Sequence, residues 1–256
     1  MRSEATQVMS GSFETGNKLL LNTANMKFFG KPRDRASRLL APVYNGASTV
    51  LVDTDLDWVA GDRLYFAPTN LQWTHSEYRT IDSYNSATGL VTLTQALSKY
   101  HFGAGSSTAA DYNGLDTRGE VRLLSRNVRI LGDYNNDLWG GHILTTDRME
   151  FDGTARYGTT QFDNVEVENC GQLNTYHAAI RFESTGNSKA SFVRDSVVHG
   201  SEAWSMIITG SSNINIDRTD FIGAKAVGIN LNSVQNVHLD DIFVADVSKR
   251  IWEGGD

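Results

Sequence analysis

The chain has 256 residues and a formal net charge of −7, which is enough length for one large domain or two small ones. It contains no run of lysines and arginines, and its negative charge opposes polyanions, so we expect no nucleic-acid partner. No apolar stretch is long enough to span a membrane, and we expect no membrane contact by this segment. The single cysteine, Cys170, excludes an internal disulfide and is expected to be a small core residue.

The composition predicts an all-β protein. Glycine is frequent at 23 residues, proline is rare at 3, and short Val/Ile/Phe runs are bounded by Gly, Asn, Asp and Ser. The first residues, MRSEATQVMSGSFETG, lack the apolar core of a signal peptide. Residues 43–103 have an antiparallel strand pattern, with a hairpin turn predicted at NSATG, 85–89. We therefore expect a small β-barrel-like insertion there.

The stretch LDTRGEVRLLSRNVRILGD, 115–133, combines the apolar residues of a strand with many charges. Alternate residues of a strand share a face, so Asp116, Arg118, Glu120 and Arg122 are expected to lie together. One interpretation is a structural network of ion pairs. The other is that Arg118, with Asp116 and Glu120, faces a groove and binds a sugar carboxylate or hydroxyl. A guanidinium suits this role because its fork binds both oxygens of a carboxylate.

Three series of segments repeat in the C-terminal half. The first comprises NVEVENCG, DSVVHG, TDFIGA and DIFVAD, which start at 164, 195, 219 and 241. The second comprises AIRF, MIIT and GINL, from 179, 206 and 228, and the third SFVRD, NINID and NVHLD, from 191, 213 and 236. Three short strands per turn of roughly 22 residues predict a right-handed parallel β-helix, whose turns bury their apolar sides against each other. Asn213 and Asn236 are predicted to stack as an amide ladder.

A column of acidic residues accompanies the third series. Asp195, Asp217 and Asp240 recur at intervals of 22 and 23 residues, so aligned turns would stack them about 4.8 Å apart. Stacked carboxylates raise each other's pKa or recruit a cation, and Ca²⁺ is the cofactor that their oxygens suit. Clustered carboxylates are also what a glycoside hydrolase needs. In the alternative interpretation, each Asp ends a strand and accepts backbone N–H groups in the turn.

Several segments, in order, resemble a known family. GNKLLLNTANMKFFGKPR, 16–33, resembles the closing part of an eight-glycine (G8) domain, and DWVAGDRLYFAPTN, 57–70, resembles the Trp-x-x-Gly-Asp segment that follows it. The family also has segments that lead into a parallel β-helix. These are resembled, in order, by the stretch 115–133, by GGHIL and by VEVENCGQ. Its members are fibrocystin, fibrocystin-like protein and the cell-surface hyaluronidases.

The resemblance implies a domain organisation. Residues 1–42 would form the end of the eight-glycine domain and the first rungs of the β-helix. Residues 43–107 would form the barrel-like insertion, and 108–256 the main β-helix. Because this family is extracellular or membrane-anchored and its chains are longer, the chain is expected to be a fragment of a cell-surface ectodomain.

The segment NTYHAAIRFESTG, 174–186, departs from the family pattern. It resembles a Tyr-Pro-Ile-His-Phe-His segment of the hyaluronidases, but Arg181 and Glu183 occupy the positions of the two histidines. Arg181 is always cationic and cannot shuttle protons at neutral pH, whereas Glu183 acts as an acid or base only with a raised pKa. His177 could substitute for a lost imidazole, although a lone loop histidine is more often a surface residue. Glycan contacts are expected from Arg118, His177 and Arg181.

Three functions follow from these patterns. The leading expectation is a non-catalytic, extracellular module that acts in a surface coat, by adhesion or glycan binding, with a glycan or matrix protein as partner. The alternative is a hyaluronan depolymerase, whose catalytic residues would come from Asp116, Arg118, Glu120, Arg181 and Glu183. The third is a structural subunit of an extracellular filament, since the open ends of a solenoid invite end-to-end stacking.

Overall fold

The structure is a computed structural model that describes residues 9–10, 13–133, 138–186, 189–248 and 250–255. The chain divides into two units. One, the β-helix unit, comprises the residues up to Pro32 and those from Arg126 onward. The other, the insertion unit, spans Arg33–Ser125.

Four strands precede the insertion. The first two, β1 and β2, form an antiparallel pair, and the next two begin the β-helix. Their bounds are β1 Met9–Ser10, β2 Phe13–Glu14, β3 Leu19–Asn22 and β4 Asn25–Phe29.

The insertion unit contains eight strands and two short 3₁₀ helices, Trp73–His75 and Thr108–Ala110. The strands are β5 Ala36–Arg38, β6 Thr49–Leu51, β7 Arg63–Phe66, β8 Glu77–Asn85, β9 Leu90–Leu93, β10 Asp111–Tyr112, β11 Leu115–Asp116 and β12 Glu120–Leu123. Six of them form one antiparallel sheet in the order β5-β12-β7-β8-β9-β6. The Leu40 N–H donates to the Leu51 carbonyl across the two edges, 2.9 Å apart, so the sheet curls towards closure as a barrel-like sheet does.

The core and turns of the insertion follow the sequence pattern. β8 and β9 form the predicted hairpin, and Gly89 at the end of its turn has a φ of +72°, where a side chain would also meet the Val52 carbonyl. The buried core is made of aliphatic residues and two aromatic ones, at Leu39, Val43, Val50, Val52, Trp58, Leu64, Phe66, Ile81, Val91, Leu93, Leu97, Val121 and Leu123. The unit is wider at both ends than the expected 43–107, because its terminal strands β5 and β12 pair with each other.

The remaining strands belong to the β-helix unit. They are β13 Val128–Leu131, β14 His142–Thr146, β15 Arg148–Met149, β16 Ala155–Arg156, β17 Thr159–Asp163, β18 Val165–Glu168, β19 Ile180–Glu183, β20 Ser191–Arg194, β21 Val197–His199, β22 Met206–Thr209, β23 Ser212–Asp217, β24 Asp220–Ile222, β25 Val227–Asn232, β26 Gln235–Asp240, β27 Phe243–Ala245 and β28 Arg250–Gly255. β15 and β16 form a small antiparallel hairpin between two strands of one coil.

Three parallel sheets build the β-helix. The first sheet has the order β3-β14-β19-β22-β25-β28, the second β4-β17-β20-β23-β26 and the third β13-β18-β21-β24-β27. The chain visits the sheets in turn, so each coil contributes one strand to each of them. The predicted parallel β-helix with three strands per turn is confirmed, and the insertion lies in the sequence of its first coil, between β4 and β13.

Alternation along each strand builds the core of the β-helix. In the second sheet, Ile214 and Ile216 point inward and are fully buried, while Asn215 between them is exposed. The fully buried rings of Phe162, Phe182 and Phe221 come from the three different sheets and join one cluster. Cys170 belongs to the same cluster as expected, and burial raises the pKa of its thiol to about 12.

The predicted amide ladder is confirmed at a corner of the coils. Asn236 donates from Nδ2 to Asn213 Oδ1 at 2.5 Å, and Asn213 donates from Nδ2 to the Gly186 carbonyl at 2.8 Å. Both asparagines have a positive φ, of 56° and 49°, a conformation that asparagine adopts more readily than most residues. No helix among the described residues has the length and apolar character needed to cross a membrane.

Candidate functional site

Asp116 and Arg118 form a closed pair in the insertion unit. The Arg118 guanidinium donates from Nε and Nη2 to both carboxylate oxygens of Asp116, at 2.7–3.1 Å, and the Arg118 backbone N–H donates to the same group. These bonds, the guanidinium first, lower the pKa of Asp116 to about 2. The guanidinium fork, which was predicted to suit a sugar carboxylate, is therefore engaged by a carboxylate of the chain itself.

Glu120 is likewise neutralised by its neighbours. It pairs with Arg122, two residues along the same strand, and with Arg38 of the adjacent strand β5 at 2.5 Å. Arg38 also donates to the Arg118 carbonyl at 2.9 Å. The first half of the stretch 115–133 thus has the geometry of the structural ion-pair network that the sequence left open.

A buried charged cluster, which sequence reasoning missed, lies on the outer side of the third sheet. Glu166 is fully buried, and it accepts from the Arg126 backbone N–H at 3.0 Å and from Arg129 at 3.0 and 3.2 Å. His199 Nε2 lies 3.1 Å from the same carboxylate. Arg129 continues to Glu168 at 3.0 Å.

This cluster contains the ligand types of a metal site. Ligand atoms of Glu166, Glu168 and His199 lie within 4.8 Å of one another. However, both oxygens of Glu166 already accept hydrogen bonds from Arg129, and a cation would have to share the carboxylate with that guanidinium. The arrangement therefore fits a structural ion-pair network that joins successive coils.

His177 is buried, with only 1 % of its surface exposed, so the expectation of a surface histidine is wrong. Its ring stacks on that of His142, with centroids 4.4 Å apart and planes within 5°. His177 Nδ1 donates to Gln172 Oε1 at 2.6 Å, and His142 Nε2 donates to the Asn17 carbonyl at 3.1 Å. The loop before β19 therefore buries His177 instead of exposing it.

Burial keeps His142 neutral. It lowers the pKa of His142 to about 3, with further contributions from the neighbouring His177 and Arg181. A buried imidazole that a substrate cannot reach neither donates a proton to it nor receives one from it. The stacked pair therefore acts as a packing element between the chain before β3 and the loop 171–178.

Arg181 and Glu183 lie in β19 of the first sheet. The Arg181 side chain is buried, donates to the Tyr176 carbonyl at 3.4 Å, and has its Nε 3.5 Å from a carboxylate oxygen of Glu183. The register places Arg181 between Leu144 and Ile207 of the adjacent strands. Of the hypothesised catalytic residues, Arg181 and Glu183 belong to the β-helix unit, whereas Asp116, Arg118 and Glu120 belong to the insertion unit.

The acidic column has a different register from the one expected. Arg194, not Asp195, lies opposite Asp217, which in turn lies opposite Asp240. Asp195 is one residue further along, in a turn with a φ of 48°, and it binds Arg218 through both oxygens at 2.7 and 2.8 Å. The interruption arises because the strands align at an interval of 23 residues. Only two of the three carboxylates therefore stack.

The comparisons with known proteins place this chain among a set of homologues. No protein-family model matches it. It is 24% identical to "Fibrocystin" of Canis lupus familiaris over 86% of its length, and 27% identical to "Fibrocystin" of Mus musculus over 94%. It is also 24% identical to the "Cell migration-inducing and hyaluronan-binding protein" of Mus musculus, over 78% of this chain and 15% of that protein. The resemblance to fibrocystin and its relatives is confirmed.

The chain spans only a small part of these relatives, 5% of the canine fibrocystin and 6% of the murine one. Among solved structures, it aligns with the tailspike protein gp49 from Pseudomonas phage LKA1 over 90% of this chain and 43% of that one. The TM-score of that alignment is 0.29, with 13% sequence identity.

Proposed function

We propose that this homologue of fibrocystin is a non-catalytic, glycan-binding module of a longer cell-surface protein. The extracellular location and the glycan partner rest on the relatives, one of which is named for hyaluronan binding. A surface-coat or adhesive role fits a β-helix, because a stack of parallel strands presents long, rigid outer faces on which repeated side chains align.

The state of the predicted acids supports the non-catalytic part of the proposal. A glycosidase needs one carboxylic acid that stays protonated near neutral pH and a second carboxylate nearby. Asp116 has the opposite property, since its pKa is lowered to about 2 by Arg118. Arg181, which replaces an imidazole of the hyaluronidases, pairs with Glu183 and cannot exchange a proton at neutral pH.

The chain length of high-molecular-weight hyaluronan after incubation with the protein tests this proposal. We expect unchanged polymer, with and without Ca²⁺, for the wild type and for the Glu183→Gln and Arg118→Ala variants alike. Shortening by the wild type that both variants abolish would instead establish the alternative, a hyaluronan depolymerase. Shortening that neither variant affects would also overturn the non-catalytic assignment and would place the chemistry elsewhere in the chain.

End-to-end assembly, the third function that the sequence suggested, remains a prediction. The edge strands of a parallel β-helix carry backbone groups of the kind that add further strands. Light scattering over a range of protein concentrations tests it. A mass that stays monomeric at high concentration would contradict a filament subunit.

A further inference from the structure

In the middle coils, the outer face of the second sheet is more open than those of the other two sheets. In the first sheet the outward residues Leu144 and Ile207 are 0 and 4 % exposed, and in the third sheet the outward Val197 is 0 % exposed. In the second sheet the outward residues Asn215 and His238 are exposed. A ligand in solution therefore has direct access to this face of the β-helix.

Two rows of side chains run along this face, perpendicular to the strands. In each row, residues of successive coils lie side by side in register, about 4.8 Å apart, so a row of five spans about 19 Å. The inner row is Lys27, Gln161, Phe192, Asn215 and His238, and the outer row is Phe29, Asp163, Arg194, Asp217 and Asp240. We call these ten residues the open face.

Aromatic rings occupy one part of the open face and are held in place there. The rings of Phe29 and Phe192 stack with centroids 6.4 Å apart and planes 24° apart, although Phe29 is 55% exposed. The Arg194 guanidinium lies 4.6 Å from the Phe192 ring centroid and binds Asp163 at 2.6 Å. An exposed phenylalanine that is fixed between coils offers a flat apolar surface with little loss of conformational entropy on binding.

The polar groups of the open face suit hydroxyl groups better than repeated anions. Gln161 and Asn215 carry amides, each of which both donates and accepts hydrogen bonds, as a sugar hydroxyl does. The face has two permanent cations, Lys27 and Arg194, against the three carboxylates of Asp163, Asp217 and Asp240. Two of those acids lie in the last two coils, where they would repel a chain of uronic acids.

The open face is by itself smaller than a standard protein interface. Its two rows are about 7 Å apart, since they lie two residues apart along each strand, so the face covers on the order of 200 Å². A stable protein interface buries about 800 Å² on each partner. A narrow, straight, aromatic and amide-lined strip instead fits a linear polymer of sugars.

We propose that the open face binds a linear, uncharged glycan whose axis runs along the two rows, across the coils. This inference rests on the proposed glycan-binding function and specifies its site and its ligand class. The rings of Phe29 and Phe192 pack against the apolar face of a sugar unit, and Gln161 and Asn215 bond its hydroxyls. The acids of the last coils select against hyaluronan and other polyanions.

A glycan array that carries neutral, sialylated, sulfated and uronic-acid-containing chains tests the ligand class, and titration calorimetry with the best soluble oligosaccharide tests the site. We expect a neutral chain to bind, and Phe29→Ala and Gln161→Ala each to lower the affinity for it about tenfold, as removal of a central contact does.

Phe151→Ala is the matched control. Phe151 is fully exposed but lies in the loop of the β15–β16 hairpin, so its removal should leave the affinity unchanged. Asn215→Ala, at another exposed position, repeats the test if Phe29→Ala lowers the melting temperature.

The outcomes separate this inference from the proposed function. Neutral-glycan binding that none of the open-face variants weakens would overturn the site and leave the glycan-binding function in place. Binding of acidic chains alone, weakened by Lys27→Ala, would overturn the ligand class. An array without any bound chain would overturn both.

Discussion

The ion pairs of this protein are of two kinds, local pairs within a strand and pairs between coils, and the second kind belongs to the β-helix unit. In the insertion unit, three pairs join residues that are two apart in sequence, at Glu77–Arg79, Asp116–Arg118 and Glu120–Arg122, while Arg33 and Arg38 bind acids farther along the chain. In the β-helix unit, Arg181–Glu183 is a local pair, and four pairs join different coils, at Arg129–Glu166, Asp163–Arg194, Asp195–Arg218 and Glu202–Lys225. A local pair lies on one face of one strand, whereas a pair between coils exists only after the coils have stacked.

This difference has an energetic consequence. The carboxylates of Asp116 and Glu120 keep about a quarter of their side-chain surface exposed, at 25% and 21%, and such pairs contribute little stability. In the β-helix, Glu166 and Glu202 have side chains 0 and 3% exposed, so the loss of a partner there leaves a buried charge. The pairs of Glu166 and Glu202 therefore resist the separation of neighbouring turns, while those of Asp116 and Glu120 mainly order a surface.

The largest expected effect comes from the buried acid of the β-helix. Glu166→Gln leaves Arg129 and His199 beside a neutral amide, and we expect a loss of about 3 kcal/mol in the free energy of unfolding. Glu120→Gln, the matched change in the insertion unit, should cost about 1 kcal/mol or less. Urea unfolding, followed by circular dichroism, measures both. Equal losses for the two variants would remove the distinction between buried and local pairs.

The sequence predicted the architecture of the β-helix but not its charged clusters. The three series of repeated segments became the strands of three sheets, with Ile180, Met206 and Ile229 in register. A repeat in apolar residues is visible because every coil needs them at the same inward positions. The 23-residue ladder of Asn213 and Asn236 was visible for the same reason, since both positions adopt the same turn conformation.

The cluster around Glu166 was missed because its partners come from coils of unequal length. Arg129 is 37 residues before Glu166, a spacing set by the β15–β16 hairpin in the intervening coil. One signal was present: Glu166 alternates with valines in VEVE, at an outward position of a strand. The prediction that Asp195 stacks on Asp217 was wrong by a single residue, because polar turn residues align less strictly than the apolar ones. The burial of His177 was missed because its loop lies outside the repeated segments, so no repeat marks its position as inward.

The stacked histidines give the β-helix a pH dependence. Because the pKa of His142 is about 3 in the folded state, below its ordinary 6.5, the unfolded state binds the proton first as the pH falls. Stability is therefore complete above pH 6.5 and decreases below it, by about 1.4 kcal/mol per pH unit between pH 6 and pH 4 for this residue. His142→Gln should flatten the slope of unfolding free energy against pH by that amount. An unaltered slope in His142→Gln would contradict the neutral, buried state.

The asparagine ladder is expected to have a smaller effect on the same unit. Asn213→Ala removes the hydrogen bonds to Asn236 and to the Gly186 carbonyl and places alanine at a φ of 56°, which together should cost about 1–2 kcal/mol. Asn213→Gly removes only the hydrogen bonds and should cost less, since glycine adopts this conformation freely. Thermal unfolding of both variants separates the two contributions. A glycine variant less stable than the alanine variant would show that backbone conformation does not govern this corner.

The smallest expected effect is that of Ca²⁺ on the acidic column. If the Ca²⁺ concentration were a hundred times the Kd of a specific site, binding would add about 2.7 kcal/mol to the free energy of unfolding. In this protein Asp195 is bound by Arg218, and Arg194 lies opposite Asp217, so a cation would meet two carboxylates and two guanidinium groups. We therefore expect equal melting temperatures in Ca²⁺ and in EDTA. A melting temperature that rises in Ca²⁺ for the wild type but not for Asp217→Asn would show that Asp217 and Asp240 hold the ion without the third acid. Contacts between coils of the β-helix would then bind a ligand as well as neutralise charge.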